Sequence, residues 1–126
     1  MTPSDIELLE VGDRLWEVRR QKLGNTTMSA NAVFDVLVRE IERDDQGRVR
    51  SALCSWNGNQ PRPYYYGALS KLRTSYPVLG KHIIYDRNDD NYLARVERDK
   101  RQNEEDKKRW QEKRKAARAK KAEVPR

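Results

Sequence analysis

"VFDVLVREI", residues 33–41, decides the fold because it reads two ways. Phe34, Leu37, Val38 and Ile41 lie at helical spacing, whereas Phe34, Val36 and Val38 alternate as in a strand. Val33, Phe34, Val36, Val38 and Ile41 are all β-branched or aromatic, side chains that suit a pleated surface. The segment is therefore predicted as a strand. Downstream, Asp44-Asp45-Gln46-Gly47 has turn composition and Arg48 to Trp56 alternates again, so a long hairpin follows.

The same reading extends outward. Ser4 and Glu7 have capping-box spacing, which predicts one short helical turn before the chain breaks at Gly12-Asp13. Leu15 to Val18 reads as a strand, and residues 20–31 are turn-rich and polar, as in a loop. Asn57-Gly58 is a strong hairpin-turn signal, since both residues tolerate positive φ. Tyr64-Tyr65-Tyr66 reads as the next short strand and Ala68 to Arg73 as one turn of helix, stopped by Pro77. His82 to Tyr85 reads as a last strand. About five short strands joined by tight turns must protect their edges, which favours a small barrel over residues 10–86. The expected fold class is mainly β, with residues 1–9 as a leading segment and 87–126 as a basic helical tail.

Composition sets the tail apart. The chain has 126 residues, 37% charged and 36% apolar, too little apolar content for a fully globular chain of this length. Residues 1–94 hold 13 Lys/Arg and 13 Asp/Glu, whereas residues 95–126 hold 14 and 7, so the net charge of +7 belongs entirely to the last quarter. Tyr92, Leu93 and Val96 form a small apolar patch able to dock one helical end. Glu97 to Arg109 contains no apolar residue, while Glu97–Arg101, Glu104–Lys108 and Glu105–Arg109 have favourable i,i+4 spacing. A helix of about 30 residues, on the order of 45 Å long, is expected to project from the barrel into solvent.

"VGDRLWEV", residues 11–18, the valine-rich hairpin and the Asn57-Gly58 turn together resemble small phage-encoded proteins with an SH3-like β-barrel. The resemblance covers roughly residues 10–86. It implies the barrel and a phage setting, and with that a host cytoplasm, but it assigns no activity. The long loop at 20–31 and the triple tyrosine depart from its pattern.

Several function classes are set aside. Cys54 has no second cysteine for a disulfide, and with only His82 it cannot build a zinc site. No apolar run is long enough to span a bilayer, and "MTPSDIELLEVGD" lacks the features of a signal peptide, so a cytoplasmic chain is expected. Glu7, Asp13, Glu17, Asp35 and Glu40 read as isolated surface acids, and no glycine-rich phosphate loop exists. Neither an enzyme nor a cofactor is expected.

Two readings remain. In the first, the chain is a nucleic-acid-binding accessory protein, for DNA or RNA. Lys107, Lys108, Arg109, Lys113, Arg114, Lys115 and Arg118 of "KKRWQEKRKAARAKK" (107–121) would grip phosphates by counterion release. Arg62, Tyr65 and Tyr66 would add a cation-flanked stacking surface. In the second, a phage effector binds a host protein machine such as a polymerase, nuclease, ribosome or defence complex. Trp110, alone on a polar helix, reads as an interface residue in either case, or as a cation–π partner of Arg114. Equally, the tyrosines could serve as core filler, as Trp16 and Trp56 are expected to do.

Overall fold

The structure is a computed structural model that describes residues 1–22, 29–77 and 90–123. Helix α1 spans Pro3–Glu7, and strands β1 Arg14–Lys22, β2 Ser29–Arg43, β3 Val49–Trp56 and β4 Arg62–Tyr65 follow. Helices α2, Tyr66–Ser70, and α3, Asp90–Glu123, complete the chain. The strands form one antiparallel sheet in the order β1-β2-β3-β4.

The ambiguous segment is the middle of β2, the longest strand at 15 residues. Its strand reading holds, and the periodicity explains why. Val36 and Val38 are buried on one face together with Leu15 of β1 and Cys54 and Ala52 of β3. A register shift between Val38 and Glu40 lets the strand bend around the core, as a bulge does. The polar stretch expected to be a loop over 20–31 is partly strand, since β1 runs to Lys22 and β2 starts at Ser29.

Turn chemistry follows the sequence closely. Asp44 Oδ1 accepts the N–H groups of Gln46 and Arg48, each at 2.9 Å, and closes the β2–β3 hairpin. Asn57 and Gly58 take φ values of 49° and 74°, and Asn59 N–H donates to the Trp56 carbonyl at 2.9 Å. Two successive positive φ values define a type I′ turn, the form that matches strand twist. At the N-terminus the cap is Thr2 rather than Ser4: its hydroxyl accepts from Asp5 N–H at 3.2 Å, with Pro3 opening the helix. Glu7 is not part of a capping box, because both its carboxylate oxygens accept from Val49 N–H.

Two expectations are corrected. The fold combines α and β, and among the described residues the sheet is open rather than a closed barrel. One additional rung lies on the free edge of β1, where Trp16 and Arg73 exchange both backbone hydrogen bonds at 2.9 and 2.8 Å. The strand expected at His82 to Tyr85 lies outside the described residues. The second correction concerns α3, which does not simply project into solvent. Trp110, on its C-terminal half, is 2% exposed and belongs to the same core as Ile6, Leu9, Leu15, Val36, Leu69 and Leu72. Leu93, the expected docking residue, is 59% exposed instead.

Candidate nucleic-acid interface

Docking of α3 explains where its charges go. The sheltered residues are Val96, Asp99, Asn103, Asp106, Trp110, Lys113 and Ala117, alternately three and four apart, with Gln102 and Arg114 beside them. That is the spacing of a helix face packed on a neighbour, but most of its members are polar. Each polar member whose contacts follow is satisfied by a partner on the sheet side.

Asp106 sits at the centre of the first contact. Its Oδ2 accepts from the Trp16 indole N–H at 2.8 Å and from Tyr76 N–H at 2.9 Å, and Oδ1 accepts from the Gln102 side-chain amide. Asn103 donates to the Tyr76 carbonyl at 2.7 Å. The Trp16 and Tyr76 rings meet edge to face with centroids 4.8 Å apart. Trp16 is buried as expected for a core residue.

The second contact is ionic. Asp13, expected on the surface, is 1% exposed. Its carboxylate accepts from Arg109 at 2.6 Å, from Lys113, and from the backbone N–H of Glu10 at 2.9 Å. Lys113 also donates to the Leu8 carbonyl and pairs with Glu10, both at 3.1 Å. Arg114 forms two parallel hydrogen bonds to Asp5, at 2.9 and 3.0 Å, the fork geometry that makes guanidinium–carboxylate pairs strong. Hydrogen bonding from Arg114 holds the Asp5 carboxyl below its usual range, against the opposing effect of burial. The Trp110 ring lies under Lys113, 4.7 Å from its ammonium, and not under Arg114.

Four of the cations singled out in the tail have other surroundings. Lys107, Lys108, Lys115 and Arg118 are exposed, and none enters an ion pair among the described residues. At about 100° per residue these four and Gln111 fall on one flank, roughly 60–160° around the helix from Trp110. Glu104 marks the upstream end of that flank. From Lys107 to Arg118 it carries no acid, over a length of about 16 Å.

The tyrosines divide. Tyr64 packs against the core, and burial pushes its hydroxyl above the usual phenol range. Tyr65 ends β4 at 63% exposed, and Tyr66 opens α2 at 43% exposed. Arg62 is exposed at the start of β4. Trp56 is half-buried, packed on Phe34 at 4.7 Å and covered by the Arg19 guanidinium at 4.6 Å. Cys54 is fully buried, which pushes its thiol up to about 11 and leaves it protonated and unreactive at neutral pH.

A groove of about 890 Å³ opens beside the cationic flank, between α1, the start of α2 and the last turns of α3. Pro3, Ser4, Leu8, Arg48, Tyr66 and Arg118 are among its lining residues. Arg118 therefore belongs both to the groove and to the flank.

Sequence reasoning missed Asp5, Asp13 and Asp106, the acids that hold α3 in place. Among the described residues no cluster of His, Cys, Asp or Glu is arranged to hold a metal ion, and no helix is long and apolar enough to cross a membrane. No protein-family model, curated protein or solved structure matches the chain.

Proposed function

We propose that this chain is a non-enzymatic nucleic-acid-binding protein whose contact surface is the outward flank of α3. One observation carries the reading: the helix divides its cations into two sets. Arg109, Lys113 and Arg114 are engaged by Asp13 and Asp5, whereas Lys107, Lys108, Lys115 and Arg118 are exposed side by side with no acidic partner among the described residues. Self-neutralised cations release few counterions on binding; unpaired ones on a rigid helix release one each. Each strand of a duplex carries a phosphate about every 3.4 Å of helix axis, so a flank of about 16 Å is on the order of the length that a few phosphates occupy. The rung between Trp16 and Arg73 supports the accompanying reading of the sheet as SH3-like. Burial of Trp110 removes it as a contact residue in either reading.

Four phosphate contacts give a slope of log K against log salt near −3.5 for duplex DNA between about 50 and 200 mM salt. Replacing Lys107, Lys108 and Lys115 by Gln is expected to flatten that slope to about −1, equally for all sequences, because phosphate contacts carry no base information. Fluorescence anisotropy with two unrelated duplexes checks this. An unchanged slope in the variant, or no duplex binding at the lower salt, contradicts the proposal and returns the host-protein effector as the better reading.

A further inference from the structure

The groove beside Arg118 has a composition that the flank does not need. Duplex phosphates require only cations, but the groove is also lined by an aromatic residue, Tyr66, and by Leu8, Pro3 and Ala117. Two arginines, Arg48 and Arg118, also line it, and neither forms an ion pair among the described residues. Its acids are already occupied. Asp5 is bridged by Arg114, and Glu7 accepts from Val49 N–H while facing Arg43 at 3.7 Å. The free charged capacity of the groove is therefore cationic.

An exposed aromatic ring, apolar lining residues and two arginines without an ion pair among the described residues match one chemical unit: a flat base joined to phosphates. We infer that the groove takes an unpaired nucleotide of a nucleic-acid strand, its base stacked on Tyr66 and its flanking phosphates held by Arg48 and Arg118. The volume suits it, since small-molecule sites run from about 300 to 1,000 Å³. Continuity supplies the path. Arg118 lines the groove and ends the cationic flank, so a strand tracked along Lys107, Lys108 and Lys115 arrives at Tyr66. A base inside a duplex cannot reach the ring, so the strand must be single there, at an end or an overhang. This deepens the nucleic-acid reading and rests on it for the approach along α3.

Three probes test the inference in the full chain: a blunt duplex, the same duplex with a three-nucleotide overhang, and a single-stranded hexanucleotide. The overhang is expected to tighten binding roughly 5- to 150-fold over the blunt duplex, the range that stacking of one base on an aromatic side chain provides. Tyr66→Ala should remove that advantage and weaken the hexanucleotide by a similar factor, while leaving the blunt duplex unaffected. Tyr66→Phe should retain both, because the ring and not the hydroxyl does the stacking. Loss of blunt-duplex binding with a Tyr66-dependent hexanucleotide would fault the flank and uphold the groove. Equal overhang and hexanucleotide affinities in wild type and Tyr66→Ala would overturn the groove, whatever the duplex does.

Discussion

Replacing Trp110 by Ala is expected to destabilise the protein by about 3–5 kcal/mol, the usual cost of emptying a large aromatic site in a core. The ring is 2% exposed and packs in one cluster with Ile6, Leu9, Leu15 and Leu69, so its removal opens a cavity between α3 and the sheet. It also takes away the surface against which Lys113 lies at 4.7 Å. No other large apolar side chain of α3 is buried among the described residues, so nothing on the helix can move in to compensate. Urea denaturation followed by circular dichroism reads the effect. A helix held only by its own i,i+4 pairs would lose no stability on this change, and an unaltered midpoint would mean that α3 is not part of the core.

Asp13→Asn should cost about 2–4 kcal/mol. Removing one partner of a buried ion pair usually costs about 3–5 kcal/mol, because the charge left behind has neither water nor counter-charge. Here the loss is moderated on one side. Arg109 is half exposed and can return to solvent, where its pairing contributes little. Lys113 is only 12% exposed and cannot, although Glu10 and the Leu8 carbonyl remain as partners. The Asn side chain can still accept from Glu10 N–H, so the backbone turn at Gly12 is expected to survive. Comparing urea midpoints of Asp13→Asn and Asp13→Ala separates the two contributions: a midpoint unchanged in both would show that Asp13 does not anchor the helix.

Much of the sheet was legible in the sequence because its signals are local. β2 was separated from a helix by its β-branched residues, and Asn57-Gly58 specified a turn whose φ values only such residues adopt without strain. The docking of α3 was not legible, and the cause is physical. A buried helix face is normally found by apolar periodicity, but here the face is built from Asn103, Asp106, Lys113 and Arg114, each satisfied by a partner distant in sequence. The absence of apolar residues from Glu97 to Arg109 therefore said nothing about burial. One signal was present. Val96, Trp110 and Ala117, spaced fourteen and seven residues apart, lie on one helix face.

Legibility of the interface divides in the same way. A run of Lys and Arg pointed to phosphate, yet charge counting treats every cation alike. The distinction depends on Asp5 and Asp13, which lie about a hundred residues away from their partners in the chain. Of the tyrosines, a strand over 64–66 puts Tyr64 and Tyr66 on one face and Tyr65 on the other, but Tyr66 instead opens α2 beside the groove. That displacement is what brings its ring near Arg118.

The division of the α3 cations into anchors and free contacts is tested most directly by comparing the urea midpoints of two variants that each lose three positive charges. One carries Arg109→Gln, Lys113→Gln and Arg114→Gln; the other carries Lys107→Gln, Lys108→Gln and Lys115→Gln. The first leaves Asp5 and Asp13 buried without counter-charges and is expected to lose about 3 kcal/mol or more. The second changes only exposed side chains and should stay within about 0.5 kcal/mol of the wild type. Equal midpoints in the two variants would contradict the account, because they would mean that the helix uses all its cations alike.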